Sequence, residues 1–215
     1  MWWAALAQLR PTHENLLSRD ERVRVRSYVR EDDRRRFVLG CTVLRQVAGG
    51  ALGVDPTQVR IERRCDDCGR QHGRPSVVGA PWDVSLSHSG EHVVVAMSRT
   101  RIGVDVEQES SVLDVEALRD LILAPQERRQ VRTSDHLGAA WVAKESALKA
   151  TGEGLRASMD RVVVPPPSVD GPVRFLDAPS RRAWALVLAA PPGQRAALTA
   201  LTPGPLDVVT RAWTP

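Results

Sequence analysis

The chain has 215 residues, 42% apolar and 26% charged, with 30 Lys and Arg against 26 Asp and Glu for a net charge of +4. That length supports one sizeable core or two small lobes, and the composition excludes a wholly disordered chain. It contains no run of about 18 apolar residues, which excludes a membrane-spanning helix. Three cysteines are too few for a disulfide framework. The opening MWWAALAQLR has no basic stretch ahead of its apolar residues and does not read as a leader. A cytoplasmic protein with no membrane partner is expected, and the positive excess calls for an anionic one: nucleic acid, a phosphate-rich small molecule or an acidic protein.

Much of the positive charge lies in RDERVRVRSYVREDDRRRF (19–37), where eight arginines alternate with five acids. Apolar residues at helical spacing from Val25 to Val47 predict two helices over 20–48, broken near Glu31 to Asp33 and stopped by Gly49 and Gly50. Residues 62–83, rich in Cys, Gly, Arg and Pro, read as loop. Three short strands follow in WDVSLSHSGEHVVVAMSRTRIGVDVE, with SGE and SRTR as turns. Helix resumes over 114–150, with Pro125 suited to the first turn of a new helix and WVAKESALKAT continuous up to Gly152. A valine strand (RVVV), a PPP loop and a hairpin from PVRFL to AWALVLAA come next, and the proline-containing tail beyond 203 reads as loosely ordered. Residues 37–52 also echo 141–156, pairing Phe37 with Trp141, Leu44 with Leu148 and Arg45 with Lys149. This suggests a degenerate duplication into two α+β lobes, 1–100 and 101–215, with a ligand cleft between them.

Three stretches carry chemistry. In GVDVE (103–107), Asp105 and Glu107 share one strand face, while Val104 and Val106 pack on the other. Two adjacent carboxylates suit a hard cation such as Mg²⁺, which keeps positions for water and substrate phosphates; a solvent-facing edge strand is the plainer alternative. In WVAKESALK, Glu145 and Lys149 lie one helical turn apart, adding a third carboxylate and a point charge for a phosphate. In SLSHSG (85–90), hydroxyls and His88 stand at a strand end, able to bind phosphate oxygens, with Arg74 upstream.

SLSHSG, GVDVE and WVAKESALKATGEGL, in this order and at these gaps, resemble the 4'-phosphopantetheinyl transferases of the Sfp-like, surfactin-synthetase-activating type, from about Ser18 to Val164. The resemblance implies an α+β pseudo-dimer of two similar lobes, with the active site in the cleft between them. It implies transfer of 4'-phosphopantetheine from coenzyme A to a serine of an apo acyl or peptidyl carrier protein, releasing adenosine 3',5'-bisphosphate, by a monomer that binds no nucleic acid. It makes Asp105, Glu107 and Glu145 the Mg²⁺ ligands, and Glu145 and Lys149 the catalytic pair. Arg24, Arg36, Arg74, Ser87, His88, Lys144 and Lys149 become the coenzyme A contacts. Phe37 stands where some relatives have a threonine, and Glu21 where a basic residue is usual. The residues by themselves leave two other readings open. One is a Mg²⁺-dependent nuclease. The other is a zinc-dependent binding module built on Cys65, Cys68 and His72, which lacks an evident fourth ligand.

Overall fold

A computed structural model describes residues 1–65, 68–109 and 115–215, and their side chains except those of 72, 115–117 and 155. In chain order the elements are β1 (Trp2–Ala5), α1 (Arg19–Val25), α2 (Glu31–Leu52), β2 (Ile61–Arg64), β3 (Gln71–Val77), β4 (Asp83–Ser89), β5 (His92–Ser98) and β6 (Ile102–Gln108). After these come α3 (Val115–Ile122), α4 (Ser134–Thr151), β7 (Val162–Val163), β8 (Gly171–Phe175), β9 (Ala183–Leu188), β10 (Gln194–Ala200) and β11 (Arg211–Ala212). They group into two compact α+β units, Met1–Arg99 with Val208–Pro215, and Thr100–Asp207. Among the described residues no helix is long and apolar enough to cross a membrane.

The first unit holds a four-stranded sheet in the order β11-β1-β5-β4 and the separate hairpin β2-β3. Ser18 and Glu21 open α1 with reciprocal bonds: each side chain accepts the other residue's backbone N–H. The α2 helix buries Leu39, Val43, Leu44 and Ala48 against Val84, Val93 and Val95 of the sheet. It does not stop at Gly49 and Gly50. It continues to Leu52 and ends on Gly53, whose φ of 69° suits the left-handed cap that glycine adopts without penalty. The interior glycine serves a close approach instead, since a Cβ on Gly49 would lie 2.9 Å from the carbonyl oxygen of Val54. Residues 62–83 are not plain loop either: Ile61 and Glu62 pair with Val77 and Ser76 across an irregular hairpin.

The second unit is a five-stranded antiparallel sheet, β6-β10-β9-β8-β7, covered by α4. Here β6, the third of the expected run of strands, pairs with β10 rather than with β5. Pro125 lies in a turn between α3 and α4 rather than inside a helix. Thr133 caps α4 by accepting the His136 N–H at 3.1 Å, and Gly152 ends it in the left-handed region with φ 83°.

The tail is ordered. The N-terminal ammonium donates to Val209 O at 2.9 Å, Arg211 N to Met1 O and Trp213 N to Trp3 O, which makes β11 a parallel edge strand beside β1. Trp213 is buried, and its indole N–H donates to Gln46 of α2 at 2.8 Å. Proline content misled the sequence reading here, because one buried aromatic ring outweighs it. Trp213→Ala removes that ring and its hydrogen bond, and should cost about 3–5 kcal/mol in urea unfolding; a loss below about 1 kcal/mol would show that the tail is dispensable.

Candidate active site

The second unit brings β6 and α4 into unusually close contact. A Cβ on Gly103 would lie 2.0 Å from the carbonyl oxygen of Ser146 and 2.4 Å from the Ala150 nitrogen, so no larger residue fits beneath the helix. The seat is reinforced by the hydroxyls of Ser146 and Thr199, 2.7 Å apart, and by Arg101, which donates to the carbonyls of Ala150 and Thr151 at the end of α4. With the helix this near, Lys149 reaches the strand: its Nζ lies 2.6 Å from Asp105 Oδ1. The Asp105 side chain is almost wholly buried, whereas Lys149 keeps 29% of its side chain exposed. One partner is anchored and the other faces solvent.

Glu145 is half-buried, and its Oε1 makes no hydrogen bond among the described residues. Burial pushes its carboxyl above the ordinary value, the charge of Asp105 adds to this, Lys149 opposes it and Glu107 adds a smaller push. Both strand carboxylates therefore act on Glu145 through space. Their hard oxygens and the orphaned buried Glu145 oxygen fit a divalent cation, which would relieve both the repulsion and the burial cost. Among the described residues no three of His, Cys, Asp or Glu are already drawn together as a metal cage.

The sequence offered no sign of Arg195. It lies opposite Glu107 in the β6/β10 register, and its guanidinium donates to Asp135 O at 2.7 Å, tying the first turn of α4 to the sheet. Gly138 makes room for it, since a Cβ there would sit 2.3 Å from Arg195 Nη1. Recognising this from sequence would have required the pairing of β10 with β6.

Lys144 is placed quite differently from Lys149. It has no solvent exposure and is enclosed by Glu127, at 2.6 Å, and by the carbonyls of Met159 and Val162. Burial pulls its ammonium below the ordinary lysine value, against the opposing pull of Glu127.

In the first unit, Arg36 donates to Gly90 O at 2.9 Å and to Asp33 Oδ1 at 2.5 Å. Asp33 is held below its ordinary value mainly by that bond from Arg36, with a smaller contribution from His88. Arg36 and His88 thus gather at the start of α2. Ser87 is buried and, as the strand neighbour of His88, points to the opposite face of the sheet. Arg74 forms a two-pronged ion pair with Asp83, so binding an anion would draw it from an existing partner. The guanidinium of Arg24 lies 5.1 Å from the centre of the Phe37 ring, which packs in the core beside Tyr28. Glu21 is acidic for a reason: buried, it pairs with the buried Arg45 at 2.8 Å. Of the zinc set, Cys65 is half-buried and Cys68 exposed, neither is in a disulfide, and the His72 side chain lies outside the described residues.

Comparison with known sequences now identifies the class. The pattern defining the 4'-phosphopantetheinyl transferase superfamily matches residues 101–201, and that of 4'-phosphopantetheinyl transferase N-terminal domains matches residues 2–100. The chain is 31% identical to 4'-phosphopantetheinyl transferase HetI of Nostoc sp., over 80% of its own length and 72% of the relative's. It is 26% identical to a 4'-phosphopantetheinyl transferase of Bacillus subtilis, covering 67% of this chain, and 24% identical to 4'-phosphopantetheinyl transferase Sfp of the same organism, covering 68%. It spans slightly under two thirds of these two Bacillus relatives, 64% and 65%. The chain belongs to the 4'-phosphopantetheinyl transferase superfamily and is a transferase. Enzymes of this class move the phosphopantetheine arm of coenzyme A onto carrier proteins, typically with Mg²⁺.

The electrostatics of Glu145 carry a sign that can be checked. A raised carboxyl pKa in the folded state is a cost of folding that is absent in acid, develops between the ordinary and the raised value, and is constant above both. In EDTA, Glu145→Gln should therefore be more stable than the parent at pH 8, and the gap should close as the pH falls into the ordinary carboxylate range. Equal stabilities at pH 8 would show that Glu145 is not strained by its neighbours.

Proposed function

We propose that this chain transfers 4'-phosphopantetheine to a carrier-protein serine, using Asp105, Glu107 and Glu145 to hold Mg²⁺ and Lys149 to steady the phosphate. The observation that supports this best is the Lys149–Asp105 pair at 2.6 Å beside the buried, orphaned carboxylate oxygen of Glu145. Asp105, Glu107 and Glu145 would hold the cation, which when bound would neutralise charge on the diphosphate of coenzyme A. Glu145 takes the proton of the serine hydroxyl as its oxygen bonds to the phosphorus carrying the pantetheine arm. The bond from that phosphorus to the bridging oxygen breaks, and adenosine 3',5'-bisphosphate leaves. Lys149, partly exposed to solvent, offsets the charge that grows on the leaving phosphate. Within the first unit, Arg36 of α2 and His88 of β4 offer cationic groups suited to a nucleotide phosphate, with Arg24 in support, whereas Ser87 is buried and Arg74 is engaged by Asp83.

Incubation with coenzyme A, Mg²⁺ and an apo carrier protein should raise the carrier mass by one phosphopantetheine group. Glu145→Gln should lower turnover by at least about 100-fold while the protein still unfolds cooperatively. No mass gain on fatty-acid, polyketide or peptide-synthetase carriers would refute the reading, and near-normal turnover in the variant would remove Glu145 from it.

The surface around α1 suits the carrier. Val23 and Val29 are 61% and 99% exposed, and Arg22, Arg26 and Arg30 beside them are exposed as well. Apolar residues rimmed by cations match an acidic helical partner. Arg22→Glu with Arg26→Glu should raise the KM for the carrier about tenfold and leave that for coenzyme A unchanged; an unchanged carrier KM would place docking elsewhere.

A further inference from the structure

Among the described residues, each unit has one fully enclosed basic residue on its main helix, paired with one buried glutamate. In the first, Arg45 donates to Glu21 and to the carbonyls of Pro56 and Val59 in the loop that follows α2. In the second, Lys144 donates to Glu127 and to the carbonyls of Met159 and Val162 in the segment that follows α4. Both glutamates also accept a backbone N–H three residues upstream, Ser18 for Glu21 and Ala124 for Glu127. Glu127 accepts one more, from Val164 at 2.9 Å.

An ammonium has three N–H donors, and Lys144 has three acceptors around it with no solvent exposure. Nothing is left over for a phosphate. What the pair does is stitch the turn before α4, the helix itself and the strand segment after it to a single point. Consecutive helical residues are rotated by about 100°, so fixing Lys144 fixes the direction in which Glu145 points, and Lys149, four residues on, shares that face.

We propose that Lys144, through Glu127, is a positioning residue that aims Glu145 and Lys149 at Asp105, and that it makes no contact with coenzyme A. This rests on the role given to Glu145 above. Removing one member leaves the other charged and buried, so the informative variant replaces both: Lys144→Met with Glu127→Gln. Coenzyme A affinity measured by titration calorimetry in EDTA should stay within about twofold of the parent, because no ligand contact is lost. The Mg²⁺ concentration for half-maximal rate should rise at least about fivefold, and kcat should fall at least about tenfold, because the carboxylate is misaimed. Arg45→Met with Glu21→Gln, the matching change in the first unit, should leave Mg²⁺ half-saturation at the parent value whatever its effect on Tm.

Coenzyme A affinity lowered tenfold or more in the folded double variant would make Lys144 a ligand and overturn the proposal, as would an unchanged Mg²⁺ requirement and kcat. If the double variant does not fold, Glu127→Gln alone is read by the same three quantities. Glu145→Gln in the parent background separates the two levels: if that change leaves turnover intact, the role of Glu145 fails, whereas an inactive Glu145→Gln beside an unaltered double variant fails only the positioning role.

Discussion

The candidate site depends on how closely a helix can lie on a strand. Ordinary side chains hold the axis of a helix about 10 Å from a sheet, too far for a short acid on the strand to meet a side chain on the near face of the helix without a gap. Gly103 removes that spacer at one point of β6, and α4 settles onto bare backbone there. Asp105, two residues further along, then meets Lys149, and Glu145 comes within electrostatic reach of both strand acids. The glycine of GVDVE is thus as much a part of the site as its acids.

That approach has a price in electrostatics that the protein meets in two ways. Lys149 compensates Asp105 directly, while Glu145 is left with a buried oxygen that makes no hydrogen bond among the described residues. Buried carboxylates of like charge persist only where the surrounding structure is rigid enough to hold them. The supports are of several kinds: the Ser146–Thr199 hydroxyl pair, the Arg101 bonds to the helix end, the Arg195 bond to its start and the enclosed Lys144–Glu127 pair. Helix, strand and carboxylates form one mechanical unit.

Much of this was legible beforehand because it depends on local periodicity. The alternation in GVDVE put Asp105 and Glu107 on one face, and the four-residue interval put Glu145 beside Lys149; both follow from chain geometry alone. The two-domain α+β character was legible too, through the echo between 37–52 and 141–156. Its register was not. The capping glycines Gly53 and Gly152 set Arg45 against Lys144, whereas matching Phe37 to Trp141 set Arg45 against Lys149. The enclosed pairs are built alike, but their glutamates stand at different distances along the chain, so a sliding comparison misses them. Lys144 and Arg195 were hidden for the same reason: what each does is decided by residues remote in sequence, Glu127 and the β10 register. A lysine enclosed by carbonyls and one facing a phosphate look alike in one dimension.

The placement of β11 matters for how the molecule is made. Its two residues, with Trp213 just after them, complete a sheet whose other strands all lie within the first hundred residues. A nascent chain leaving the ribosome presents β1 with one bare flank, and every strand of the second sheet is synthesised before the missing neighbour arrives. Residues 211–213 thus seal a domain whose other strands precede Thr100, so that sheet is completed only after every strand of the second one, rather than on completion of its own sequence block.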